Sequence, residues 1–279
     1  MLIDCLEAIV AQQVDVGFRI IVADNAEEPE ARERVEAMAD RTQISIQYVH
    51  APARNISVAR NACLEAARGE WIAFLDDDEL AEPTWLAALL AEAGRGGWDA
   101  VLGPVHAVYP DHAPRWMKAG RFHSTGPVWV KGEILTGYTG NVLIRRSMVE
   151  RLGLRFRPEY GRTGGEDLDF FYRLRDGGGR IGFAPDAAAS EAVPEPRASL
   201  SWLLKRSFRA GQSHGSRLLA KSRSGVTEIP KAAVKAAACG VAALLAAPMP
   251  ARRNRLLTRS ALHCGVVARM AGWSEIQSY

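Results

Sequence analysis

Residues 71–93 read WIAFLDDDELAEPTWLAALLAEA, and this stretch decides the fold. Trp71–Leu75 is a wholly apolar run of strand length that stops abruptly at four acids, Asp76, Asp77, Asp78 and Glu79. Pro83 suits a first helical turn, and residues 83–93 read as a helix. The same alternation occurs upstream. Residues 18–23 (FRIIVA) form a strand ending at Asp24-Asn25, 29–41 a charged helix, 44–49 (ISIQYV) a second strand, and 57–68 a helix ended by Gly69. Residues 1–13 place apolar side chains at 2, 3, 6, 9 and 10, a helical spacing. Strands and helices alternating at this length predict an α/β fold, a parallel sheet wrapped by helices, whose ligand crevice lies beyond the carboxyl ends of the strands. Asp24 and the acid run at 76–78 both stand at such ends.

Downstream the pattern loosens. Residues 101–108 read as a strand, and 109–136, rich in Pro, Gly, Trp and His, as loop. Residues 139–145 (TGNVLIR) read as another strand, 166–175 as a helix, and 181–184 as a short strand after three glycines; helices resume near Ser199. A stretch of small apolar residues at 236–247 is well short of the roughly 20 residues a membrane span requires. It reads either as a packed helix or as a surface helix with basic flanks.

The 279 residues are 48% hydrophobic and 24% charged, enough apolar material for a large core and too little charge for disorder. The net charge of +3 is unevenly placed: residues 198–279 carry thirteen Lys and Arg against Glu228 and Glu275, a balance of +11 that leaves −8 for residues 1–197. An acidic body with a basic tail points to an anionic partner for the tail. Motifs of nucleic-acid binding are absent, so the expected partner is anionic lipid. The four cysteines show neither CxxC pairing nor zinc spacing, and read as reduced, mostly buried residues of a cytoplasmic protein. Asp4 and Glu7 interrupt the first apolar stretch, and no basic leader precedes it.

Four constellations carry chemistry. The acid triplet is one: like charges crowded at a strand end are costly unless a cation joins them, and oxygen ligands suit Mg²⁺ or Mn²⁺ shared with substrate phosphates. A solvated acidic turn is the plain alternative. Gly164-Gly165-Glu166-Asp167 opens a predicted helix, where acids either favour the helix dipole or supply a general base. Residues 54–61 (RNISVARN) enter a helix with Arg60 as a phosphate candidate, and 205–214 (KRSFRAGQSH) concentrate positive charge near His214. For both, a solvated helix face is the alternative.

Strand–Asp24, Arg60-Asn61, FLDDDELAEPTWL, TGNVLIRR and GGEDLDF, in this order, resemble the family 2 glycosyltransferases of the GT-A fold, over at least residues 1–215. AVLGPVHAVYP, APRWMKAG, FHSTGPVWVKGEI and KRSFRAGQSHG are similar to the glucosyltransferases of succinoglycan-type exopolysaccharide assembly. The resemblance implies a mixed sheet flanked by helices, with residues 1–215 as the glycosyltransferase domain and 216–279 as a basic helical region at the membrane. It implies that Asp24 holds the uracil base and that Asp76, with Asp77, lies toward the donor ribose and sugar. Asp78 would bind the metal, and Arg60, Arg209 and His214 would lie near the nucleotide diphosphate. Asp167 would be the general base, Glu166 its support, and Asn141 an acceptor-side residue. The partners implied are a UDP-sugar, a polyprenyl-diphosphate-linked oligosaccharide, and the anionic inner face of the plasma membrane, to which the enzyme would be peripheral. Catalysis would be a single inverting displacement assisted by Mn²⁺ or Mg²⁺. A catalytically impaired scaffold of the same pathway is the rival reading. One departure sets a structural expectation: the family's first strand has no counterpart here, so the sheet should be one strand short beside residues 18–23.

Overall fold

The computed structural model describes residues 1–162, 164–220 and 224–276. Lys221 and Arg223 of the basic segment lie outside them. The described chain forms two compact units: 1–106, 124–162 and 166–191 in the first, and 107–123, 164–165, 192–220 and 224–276 in the second. The expected boundary at 215 falls within a single helix, Leu200–Ala220.

The first unit opens with α1 (Leu2–Val10), β1 (Ile20–Asp24), α2 (Arg32–Ala39) and β2 (Ile46–His50). β1 and β2 pair in parallel, with Ile20 opposite Ile46 and Asp24 opposite His50. Leu6, Ile20, Val35 and Met38 bury the seam between these strands and helices. There follow α3 (Ile56–Ala66), β3 (Trp71–Leu75), β4 (Glu79–Ala81), α4 (Trp85–Gly96), β5 (Ala100–Leu102) and β6 (Val105–Val108). The helix α5 (Arg115–Gly120) belongs to the second unit. The hairpin β7 (Trp129–Val130) and β8 (Glu133–Ile134), then β9 (Asn141–Arg145), α6 (Arg146–Arg151), α7 (Glu166–Asp176), β10 (Ile181–Phe183) and β11 (Ala189–Ala192) complete the element order up to the terminal helices.

A mixed sheet in the order β10-β5-β9-β3 is the centre of the unit. β10 runs parallel to β5, and β9 runs antiparallel to both β5 and β3, so that Leu75 faces Asn141. β9 shows why the strand is covered on both faces. Val142 and Ile144 enter one core with Phe156, Phe170 and Phe171, while Leu143, pointing the other way, meets Trp85 and Leu89 of α4. β4 pairs antiparallel with β11. The two-stranded β1–β2 sheet and the four-stranded sheet are separate among the described residues, and no described strand pairs with β1 on its side away from β2.

The second unit is dominated by α8 (Leu200–Ala220), α9 (Gly225–Leu245) and α10 (Pro250–Met270). Ala232 of α9 packs with Val266 and Met270 of α10, and Ser260 Oγ donates to the Ala236 carbonyl at 2.9 Å. No helix of the described chain is long and apolar enough to cross a membrane. The cysteines are less buried than expected: all are unpaired, Cys5 is buried, Cys63 and Cys239 are half-buried, and Cys264 is exposed. Cys264 follows His263 on an outer face of α10, so its thiol faces water rather than core.

Candidate active site

Asn55 starts α3 by accepting from the Ser57 N–H at 3.0 Å, a cap that satisfies an otherwise orphan donor. The same side chain donates to the Pro158 carbonyl at 2.9 Å, and Ser57 Oγ donates to the Arg157 carbonyl at 2.9 Å. Asn61 both donates to the Phe156 carbonyl and accepts its N–H, at 2.7 and 2.8 Å. One face of α3 is therefore laced to residues 156–158. Arg60 projects from this fixed face.

Arg60 is 8% exposed and stands among three carboxylates: Glu166 at 2.7 Å, Asp167 at 2.8 Å and Asp76 at 3.2 Å. Burial alone would lower its guanidinium; Asp167, Asp76 and Glu166 outweigh that and raise it. The geometry brings together four of the residues singled out in the sequence. It also gives Arg60 a nearer duty than phosphate contact, because its fork is already occupied by carboxylates.

Glu166 and Asp167 open α7, where acids suit the positive end of the helix dipole. Gly164 and Gly165 lead into it with φ of 86° and 97°, a backbone region that L side chains rarely adopt. Glu166 is buried, with Oε1 on Arg60 and Oε2 without a protein partner. Burial, then Asp167, push its carboxyl up, and Arg60 opposes them. Asp167 keeps 24% of its side chain exposed and accepts from Thr139 Oγ1 at 2.7 Å as well as from Arg60. Thr139 is itself fully buried, and its N–H approaches the second Asp167 oxygen at 3.3 Å. A carboxylate with two donors fixing one oxygen and an exposed flank is oriented as a base must be.

The acid run behaves as its crowding demands. Burial raises the Asp76 carboxyl, Arg60 opposes it, and Asp167 and Asp78 raise it further. Asp77 is exposed, and Asp78 is half-buried. Glu79, which the sequence grouped with the acids without a role, is 4% exposed and pushed up to about 10, first by burial and then by Asp76, Asp78 and Glu191. Its Oε2 lacks a protein partner. Gly140 lies against it: a Cβ there would come to 2.5 Å from Glu79 Oε1, so a larger residue in the turn before β9 would displace the Glu79 carboxyl.

Asp24 makes a contrasting carboxylate. Burial pushes it up, but the Ala31 N–H, the Tyr48 hydroxyl and the Ala26 N–H together hold it below its ordinary value. These bonds close the connection from β1 to α2, and Asp24 retains partial exposure. Asn141 differs from its expected acceptor-side role. It is fully buried, donates to the carbonyls of Pro104 and Ala187 at 3.0 and 2.8 Å, and accepts from Trp85 Nε1 at 2.8 Å. With no surface to offer an acceptor, it is a strut beneath the turn that carries Thr139. Arg209 and His214 lie on α8 in the second unit, where burial and then Arg217 lower the His214 imidazole.

The donor set fits a divalent cation by chemistry. Asp76, Glu166 and Asp167 share one guanidinium, and Asp77 and Asp78 add further negative charge beside Asp76. A hard cation on Asp78 and Asp76 would relieve the crowding that raises Asp76. Among the described residues no three His, Cys, Asp or Glu form a ready-made metal cage. Mg²⁺ and Mn²⁺ sites built on one or two carboxylates take their remaining ligands from phosphates and water.

Residues 1–153 match the model of Glycosyl transferase family 2. Succinoglycan biosynthesis protein ExoM of Rhizobium meliloti (strain 1021) is 51% identical over 265 residues, covering 94% of this chain and 85% of that protein. Putative glycosyltransferase EpsH of Bacillus subtilis (strain 168) is 30% identical over 181 residues, 61% of this chain and 50% of EpsH. Among solved structures, S. aureus TarS 1-349 in complex with UDP superposes with a TM-score of 0.55 at 16% identity, over 97% of this chain and 88% of that one. A second S. aureus TarS structure gives 0.55 at 18% identity, over 78% of this chain and 40% of that one. At these identities the likeness is one of fold, a GT-A-like mixed α/β sheet with a helical C-terminal region.

Proposed function

The chain belongs to glycosyl transferase family 2 and is a glycosyltransferase, and we propose that it transfers glucose from UDP-glucose, with inversion, to a lipid-linked oligosaccharide in the assembly of a succinoglycan-type exopolysaccharide. The observation that carries this reading is the cage around Arg60, which holds Asp76 at the end of β3 together with Glu166 at the start of α7, 106 residues along the chain from Arg60. One guanidinium holding a donor-side acid and a base-side acid at a set spacing suits a direct displacement at an anomeric carbon, in which the acceptor loses its proton as the diphosphate departs. The 51% identity to the succinoglycan protein supports the pathway.

Asp167 takes the proton of the acceptor hydroxyl, and the resulting oxygen attacks the anomeric carbon as the bond to UDP breaks on the opposite face. An α-linked donor thus yields a β-linked product. Thr139 and Arg60 fix one Asp167 oxygen. Arg60 also keeps the pair Glu166–Asp167 and Asp76 at a set spacing despite their repulsion. Asp24 is the candidate for the uracil, and Asp76 and Asp77 for the ribose and sugar. Arg209 and His214 are the candidates for the diphosphate, and Asp78 is the candidate for holding Mn²⁺ or Mg²⁺. When bound, the metal supplies Lewis-acid stabilisation of the departing diphosphate. The basic helical region is proposed to keep the enzyme peripheral to the cytoplasmic face of the membrane that carries the acceptor.

The test is UDP release from UDP-glucose with Mn²⁺ or Mg²⁺ and a polyprenyl-diphosphate-linked acceptor, comparing the chain with Asp167→Asn. Acceptor-dependent turnover that disappears in the variant supports the transferase and its base. Turnover unchanged in Asp167→Asn removes the base assignment. No turnover of any UDP-sugar by the unaltered chain favours the scaffold reading.

A further inference from the structure

Helix α9 is built inside out. Its inward face is made mostly of small side chains, with Ala232, Ala236 and Ala243 buried and Ile229 packed beside them, while both of its leucines and its three valines point to water. Val226 is 84% exposed, Val234 68%, Val241 60%, Leu244 77% and Leu245 80%. Helical angles of 100° per residue put these five within about a third of a turn of one another, a stripe along about 30 Å of helix. Pro230, Ala233, Ala237 and Ala238 are exposed and add no charge to it. A helix stabilised only by its own unit would turn Leu244 and Leu245 inward, since each leucine loses about 1.5–3 kcal/mol of burial by facing water.

Charge decides what covers the stripe. Lys231 and Lys235, both exposed, flank it on one side. Glu228, the one acid of α9, is only 17% exposed and is paired with Lys231 at 3.0 Å. A second copy laid on the same stripe would bring lysine rims together without acids to meet them. An anionic bilayer surface answers both features: the apolar stripe enters the acyl boundary while lysine stems reach back to phosphate headgroups.

We propose that the Val226–Val234–Val241–Leu244–Leu245 face of α9 is the surface by which this protein lies on an anionic phospholipid bilayer, α9 parallel to the membrane plane. This rests on the peripheral-membrane reading above and assigns that role to one helical stripe rather than to the basic region as a whole.

The test is flotation of the full chain with vesicles of phosphatidylcholine alone and with added phosphatidylglycerol. The variants are Leu244→Ser/Leu245→Ser and Lys231→Gln/Lys235→Gln. Thermal melting confirms that exposed substitutions leave the fold intact, and size-exclusion chromatography reports oligomeric state. Supporting results are flotation that needs phosphatidylglycerol, a drop of about tenfold or more per leucine removed, and a drop of about fivefold per lysine removed. Leu245→Trp should also shift its emission to the blue when these vesicles are added. Equal flotation of the parent and the leucine variant overturns the stripe but leaves peripheral binding standing. No flotation of the parent overturns both. A parent dimer that the leucine variant converts to monomer, without vesicle binding, assigns the face to a second copy and also overturns the proposal.

Discussion

The Arg60 cage and the outer face of α9 invert each other. In the cage, charges are turned inward, and each is tolerated because another charge or hydrogen bond answers it at 2.7–3.2 Å. On α9, apolar side chains are turned outward and small ones inward. Each arrangement is costly for a protein considered alone, and each marks a place where something other than folding stability has set the sequence. The difference lies in where the compensation comes from: within the chain for the cage, and from outside it for the helix.

The comparison breaks most readily at Asp167. Asp167→Asn should lower kcat by two to four orders of magnitude, the usual contribution of a general base, while vesicle flotation stays as in the parent. A parallel loss of flotation would mean the two regions are not separable. Arg60→Met should cost stability, on the order of 3 kcal/mol in urea unfolding, because it leaves buried carboxylates without their cation. Arg60→Lys should recover part of this, since it restores charge but not the fork that serves three acids. Equal stability of parent and Arg60→Met would show that the carboxylates take up protons instead. The leucine pair of α9 should do the reverse, changing vesicle partition by about tenfold per residue with an unchanged melting temperature.

Thr139→Val sharpens the internal half of the comparison. It removes one donor to Asp167, worth about 1 kcal/mol, so kcat should fall roughly fivefold to tenfold. The smallest effect expected concerns His123 of the second unit. It is 5% exposed, stacked on Trp202, donates Nε2–H to the Arg197 carbonyl and meets the Tyr109 hydroxyl through Nδ1. Burial lowers its imidazole below the ordinary value near 6.5. The unfolded ring therefore takes a proton that the folded one refuses, and stability is present above that value and lost as pH falls below it. Melting temperature should decline from about pH 6.5 downward, and less so in His123→Leu.

Much of the first unit was legible in sequence because its signals are local. Trp71–Leu75 is the strand that was expected, bounded by the acids that end it. Residues 101–108, expected as one strand, are two: the Gly103 N–H still bonds the Asn141 carbonyl in register, but Pro104 has no N–H to carry the ladder further. The expected loop at 109–136 contains α5 and the β7–β8 hairpin, elements of six and two residues too short to leave a period. α6 follows β9 without a connecting residue, so no turn residue announced it.

At the site, the acids were visible as a cluster, but their organiser was not. Nothing near residue 60 announces that its guanidinium belongs with residues 166 and 167. Thr139 was noticed only as part of a TGN stretch, because a hydroxyl that holds a base looks like any other threonine. Asn141 took its acceptor-side role from the family resemblance alone, and no local signal announced that Trp85 and two carbonyls bury it.

The lacing of α3 to residues 156–158, and of Arg60 to 166 and 167, spans 95 to 107 residues of chain. These are closures of high sequence separation, which fold late. During synthesis the acid run at 76–79 emerges long before the start of α7, and at roughly 5–20 residues per second that interval is on the order of ten seconds. For that time the strand ending at Leu75 carries its carboxylates without the arrangement that later holds them apart. The Arg60 cage is thus among the last parts of its unit to form, and a ribosome-bound chain halted before residue 166 would present the acids in a form the finished chain never shows.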